Sequence, residues 1–99
     1  MAETTSRASV PTERPGKYIA QLCKHFAHRI PTTFDPPTSD ATTGRIEFEG
    51  GVCALRSERD LLVMELTATD EETLHRLEDV VARHLERFAW REPPVVTWS

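Results

Sequence analysis

Between Lys17 and Ile30 the chain reads KYIAQLCKHFAHRI, and the side chains most capable of chemistry crowd there: Cys23, Lys24, His25, His28 and Arg29. Thiolate and imidazole are the usual protein ligands of zinc, iron and copper, so Cys23, His25 and His28 invite a divalent-metal reading. Their spacing works against all three acting together. On a helix Cys23 projects about 140° away from His28, into the apolar stripe, and the three cannot converge on one ion. His25 and His28, three residues apart, share a face with Gln21 beside them. As a metal site this pair needs a third or fourth ligand from elsewhere, and His84, Asp35 and Asp40 are the available donors. The plainer reading is a basic, solvated ligand or partner surface of Gln21, Lys24, His25 and His28.

The other reactive groups read in two ways each. Cys23 and Cys53 are small buried hydrophobes, or a redox pair if the helix crosses the strand that carries Cys53 at close range. His84 falls within the apolar stripe of a second helix, so it faces the sheet or the first helix. One expectation is a buried histidine with a local hydrogen bond. The sharper one is that His84 meets His25 at the helix–helix seam in a polar pair responsive to pH or ligand. The acidic residues lie mostly at the start and on the outer side of the second helix, where helix electrostatics explain them. The chain has no glycine-rich phosphate loop, no G-x-S-x-G elbow and no nucleophile with a recognisable base, which argues against an enzyme acting alone.

Which elements position these groups follows from the hydrophobic periodicity. Met1–Thr5 reads as a disordered tail, and residues 6–99 as a single domain. Ser6–Val10 alternates as a first strand, closed by Pro11. Thr12 as N-cap and Pro15 in the first turn open a helix to about Arg29, with Tyr18, Ile19, Leu22, Cys23, Phe26, Ala27 and Ile30 on its apolar side. Thr32–Gly44 (TTFDPPTSDATTG), with two adjacent prolines, reads as a turn-forming loop pinned by Phe34. Three strands follow: Arg45–Glu49, then Val52–Arg56 after the Gly50-Gly51 hairpin signal, then Leu61–Thr67 after the SERD turn. Thr69 with Glu72 reads as a capping box for a second helix, whose stripe is Leu74, Leu77, Val81, Leu85 and Phe88 and which ends near Ala89-Trp90. Val95–Trp98 reads as a last short strand. The expected architecture is an α+β two-layer sandwich, β-α-β-β-β-α-β, with a mainly antiparallel sheet and both helices on one face.

Composition narrows the partners. Ninety-nine residues, 38% of them apolar and 28% charged, suit one small globular core. A formal charge of -4 argues against nucleic acid. No run is long and apolar enough to span a membrane, and the polar Met1–Pro11 does not resemble a signal peptide, so the expected location is the cytoplasm. Trp90 and Trp98 either close the core or mark an interface, and the outer strands leave room for a protein partner or a homodimer.

Three stretches carry a family resemblance: QLCKHFAHRI (Gln21–Ile30), GRIEFEGGVCAL (Gly44–Leu55) and VVARHLERFAWRE (Val80–Glu92). From about Ser6 to Trp98 the chain resembles the bacterial family of unknown function DUF2218, with Cys-Lys-His-Phe-x-His as the most specific run. The resemblance implies a small stand-alone bacterial domain with no established activity. It also implies, by association only, a link to iron or siderophore handling, because a similar segment is sometimes joined to siderophore-interacting flavin reductases. One departure is the loop Pro36–Thr43, which is longer than the connection the family resemblance implies.

Overall fold

A computed structural model describes residues 3–38, 41–89 and 94–99 of the chain. Five strands form one antiparallel sheet: β1 (Thr4–Pro11), β2 (Thr32–Thr38), β3 (Ala41–Phe48), β4 (Gly51–Glu58) and β5 (Leu61–Ala68). Their spatial order is β1-β5-β4-β3-β2. Two helices, α1 (Pro15–Phe26) and α2 (Glu71–Phe88), lie on one side of it. The α+β class, the antiparallel sheet and the shared helix layer agree with the sequence reading. The element order does not: it is β-α-β-β-β-β-α.

The difference lies in two segments. The described residues of Thr32–Gly44 form not a loop but β2 and the first half of β3, paired from Thr32↔Ile46 to Thr38↔Ala41. Pro36 and Pro37 fit because β2 is an edge strand, where one side of the backbone has no ladder to break, and the register shifts between Asp35 and Thr38. At the other end of the chain, Val95–Trp98 forms no ladder. Only Ser99 pairs, exchanging backbone hydrogen bonds of 3.0 and 3.1 Å with Arg7 beside β1. Val96 and Trp98 nevertheless pack against the core. Trp90 and Asp40 lie outside the described residues.

Register explains where the core sits. Ala8 pairs with Met64, Met64 with Leu55, and Leu55 with Gly44, so one row of the pleat runs across four strands. This row, with Val10, Ile46, Cys53, Leu62 and Leu66, faces the helices and is buried. Ile19, Leu22 and Cys23 of α1 and Leu74, Leu77, Val81 and Leu85 of α2 close it from above. Phe34 packs on the same cluster. On the opposite face Val63 is also buried, between Ser9 and Arg56 in register, while its neighbours Glu65 and Arg56 form an ion pair at 2.8 Å. The second face of β5 is therefore partly covered, as its doubly apolar sequence implies.

Helix ends differ from expectation by a turn or less. Arg14, not Thr12, is the N-cap of α1, and the Thr12 hydroxyl instead accepts from the Arg14 N–H at 3.1 Å. Asp70, not Thr69, caps α2, accepting from the Thr73 N–H at 2.7 Å. That bond holds the Asp70 carboxyl below its ordinary value. Among the described residues no helix is long and apolar enough to cross a membrane.

The β4–β5 turn contains the one non-glycine residue with positive φ among the described residues, Arg59 at 54°. A left-handed conformation costs an ordinary residue roughly 1–2 kcal/mol, and glycine gives back part of that gain through unfolded-state entropy. Arg59→Gly is therefore expected to stabilise the fold by about 0.5–1 kcal/mol, raising Tm by roughly 4 °C in thermal unfolding. An unchanged or lower Tm would remove the strain argument.

Candidate functional site

The functional groups gather where α1 ends. The helix stops at Phe26, three residues sooner than the pattern predicts, and Pro31 bars it from resuming past Ile30. The Phe26 carbonyl then accepts two backbone bonds, from Arg29 and Ile30, both at 3.0 Å. This tight turn carries His28 and Arg29 off the helix axis. The Pro31 carbonyl accepts from the Glu47 N–H at 3.0 Å, which ties the exit of the turn to β3.

His25 and His84 meet at the seam between α1 and α2, with ring centroids 4.8 Å apart and planes at 47°. His84 is half-buried, and its Nδ1 lies 2.6 Å from the Val80 carbonyl one turn back. A carbonyl only accepts, so Nδ1 carries the proton and Nε2 is the free nitrogen of the neutral ring. Around the two imidazoles, Phe26 sits 4.8 Å from His84 and 5.1 Å from His25, and it meets Phe48 edge to face at 5.1 Å. Phe88 stands 5.9 Å from His25.

These groups line a cavity of about 660 Å³ whose charged walls are His25, His28, Arg29, His84 and Arg87, and whose apolar floor includes Phe26, Ile30 and Phe48. Neither Arg29 nor Arg87 has an acidic partner within 4.0 Å among the described residues, whereas Arg83 is paired with Asp79 at 3.1 Å. The local field is therefore positive on a chain of formal charge -4. It shows in His25, whose pKa is lowered first by lost hydration and then by His84, Arg87, His28 and Arg29 in turn.

The sequence-derived surface divides. His25 and His28 line the cavity, and His84 joins them. Lys24 is exposed and belongs to none of these contacts. Gln21 is half-buried, with Oε1 shut off from solvent and without a hydrogen-bond partner among the described residues. Asp35 accepts from the Thr43 hydroxyl at 3.1 Å on the sheet's other face, so it does not reach the histidines. Phe48 and Arg87 are the site residues that the sequence reading missed. Their positions depend on which strand end lies under the helix seam.

The sequence matches the family described as "Uncharacterized protein conserved in bacteria (DUF2218)" over residues 7–99. The chain belongs to the DUF2218 family. Among solved structures it is similar to the NMR structure of PA4090 from Pseudomonas aeruginosa, at 33% identity and a TM-score of 0.77, covering 96% of this chain and 94% of that one. No curated protein matches it. Family membership assigns no activity, so chemistry must be argued from the cavity.

As metal ligands, His25, His28 and His84 offer imidazole nitrogen, which zinc, copper and nickel accept. Among the described residues no group of three His, Cys, Asp or Glu side chains is placed to hold an ion. The unpaired guanidinium groups of Arg29 and Arg87 also oppose a cation electrostatically.

Cys23 and Cys53 are both free and buried. Burial pushes Cys23 up to about 11, with the Arg45 backbone N–H pulling the other way. It pushes Cys53 up to about 12, helped by the nearby Cys23. For Cys23 the rise from 9.0 to about 11 leaves about a hundredfold less thiolate at neutral pH. The native protein is expected to resist a thiol reagent such as DTNB at pH 7.5, and both thiols to react at the rate of unfolding. Fast stoichiometric labelling without denaturant would contradict this burial.

Proposed function

We propose that this chain is a small cytoplasmic binding domain whose ligand is anionic and seats in the cavity at the α1–α2 seam. The observation that carries the reading is the convergence of five nitrogen-bearing side chains from α1, the turn after it and α2, with Arg29 and Arg87 unpaired among the described residues, over an aromatic floor. Guanidinium groups bind carboxylate and phosphate oxygens in a planar fork, and an imidazole adds a switchable donor. A cavity of about 660 Å³ falls in the range of small-molecule sites. The two reduced, buried cysteines suit a reducing compartment.

This reading favours an anion over the divalent metal drawn from His25 and His28. The iron-handling association that the family resemblance implies is compatible with it, since organic iron chelators bind through anionic oxygens. The test is an NMR titration with inorganic phosphate at pH 6. Shifts confined to His25, His28, His84 and the two arginine side chains support the site. No shift there, or the same shifts in an Arg29→Glu/Arg87→Glu double variant, would remove it.

A second reading is docking of another copy of the chain. Its support is that β1 and β2 are the two edge strands of the sheet, which can pair with another chain, with Val95 80% exposed in the segment that joins β1 at Ser99. Light scattering on the eluting peak, comparing the wild type with Val95→Lys, tests it. A wild-type monomer at all concentrations would end it.

A further inference from the structure

We infer that the ligand of this cavity is an organic anion carrying a flat, unsaturated ring, held by its charge at Arg29 and Arg87 and by its ring against Phe26, Phe48 and the two imidazoles. The inference rests on the anion reading above and names the class of ligand.

The aromatic groups are the basis. Phe26 is the hub: it meets Phe48 at 77° and His25 at 84°, both edge to face, and His84 at 54°. His25 meets Phe88 at 69°. None of the five pairs is a parallel stack, and edge-to-face contacts leave faces and edges available to a further ring. These rings also lie outside the fully buried core. Phe26 and Phe48 are only half-buried and His25 is exposed, and all three line the cavity, while Leu22, Ile46 and Leu66 are sealed in the core. A half-covered aromatic cluster and two unpaired arginines on the walls of one cavity offer two kinds of contact to a single ligand. Only a ligand with charge at one end and a ring at the other uses both.

Size leads to the same class. An inorganic ion fills a small part of about 660 Å³ and touches only the rim charges. Rim charges in water bind weakly and are screened by salt. A six-membered ring adds apolar area removed from water, and the energy of that burial is what separates an organic from an inorganic anion here.

The test compares phenyl phosphate, inorganic phosphate and phenol by calorimetry and NMR on the full chain. Phenyl phosphate is expected to bind at least about tenfold tighter than either of the others, a difference of ~1.4 kcal/mol. Its ring current should shift the Phe48 and His25 resonances. Phe48→Leu keeps an apolar side chain but removes the ring, and it should weaken phenyl phosphate more than it weakens phosphate, narrowing the gap between them. Equal binding of phosphate and phenyl phosphate overturns the ring requirement and leaves the anion reading standing. Equal binding of phenol and phenyl phosphate overturns the anion reading, and no binding by any of the three overturns both.

Discussion

Replacing Gly44 by alanine is expected to destabilise the protein by about 2 kcal/mol, although glycine inside a strand is ordinarily a weakness. Alanine in a strand interior gains roughly 0.5–1 kcal/mol through unfolded-state entropy, so two effects of opposite sign compete. The packing decides between them. A Cβ at Gly44 would lie 2.5 Å from Cys23 Sγ and 3.1 Å from Ile19 Cγ2, where α1 presses onto β3. Ile19 is β-branched and stiff at χ1, and a helical cysteine has few rotamers into which to retreat, so the helix itself must lift. Both side chains are buried in a core where small displacements propagate. The expected fall in Tm is roughly 10–15 °C, read by calorimetry or circular dichroism. A double-mutant cycle locates the cause. Cys23→Ala alone costs about 1 kcal/mol for its cavity, and in that background Gly44→Ala should cost at least about 1 kcal/mol less than in the wild type. Strict additivity would mean that the thiol and the glycine do not meet.

Gly44 also shows why part of the fold escaped the sequence. Set at the end of TTFDPPTSDATTG, it looks like a loop terminus, yet it is the point in β3 where a strand must have no side chain. The two prolines that suggested a loop are tolerated on an edge strand, and the threonines around them are good strand formers. Local composition cannot distinguish an edge strand carrying prolines from a loop, because the distinction lies in the partner. The helices and inner strands were legible because burial imposes a period on them. Ile19, Leu22 and Cys23 repeat on one face of α1, and Leu62, Met64 and Leu66 alternate in β5. The C-terminal segment was read half correctly. Val95–Trp98 was expected as a strand, with Trp98 either closing the core or marking an interface; Val96 and Trp98 do pack on the core, but the hydrogen bonds to β1 come only at Ser99.

The site divides along the same line. Angular position put His84 on the inner side of α2, and the expected meeting with His25 at the helix seam does occur. The triad of Cys23, His25 and His28 does not form a site: Cys23 points into the core with Ile19 and Leu22, while His25 and His28 face the cavity. What no single element could reveal is the company those imidazoles keep. Phe48 arrives from the end of a strand, and Arg87 from one turn beyond His84. Together they turn a pair of candidate ligands into a cationic cavity with an aromatic floor.

That charge makes the second large prediction. Arg87→Glu removes one of the two unpaired guanidinium groups and puts a carboxylate in the cavity, so affinity for phenyl phosphate is expected to fall by more than about tenfold. Folding should survive with a cost of no more than about 1 kcal/mol from the reversed charge in the last turn of α2, because Arg87 is exposed and makes no ion pair among the described residues. The same field sets the pH dependence through His25, which faces His84 and Arg87 from α2 and His28 and Arg29 from the turn after α1, while β3 contributes only the uncharged Phe48 to the cavity. The folded-state pKa of His25 lies below the ordinary imidazole value of 6.5. A lowered pKa means that the folded state resists the proton, so this contribution to stability is complete above pH 6.5 and is lost as the pH falls through the folded pKa. His25→Gln should flatten that decline. A bound anion reverses the local field and raises the imidazole pKa, so His25 takes up protons on binding, and affinity is expected to rise as the pH falls from 7.5 to 6.5, a range above the second phosphate pKa of about 6 in which phenyl phosphate stays mostly a dianion. Calorimetry in buffers of different ionisation enthalpy reads that uptake directly. In His25→Gln the uptake should shrink while binding through Arg29 and Arg87 persists. Affinity independent of pH, or an undiminished uptake in His25→Gln, would separate His25 from the ligand.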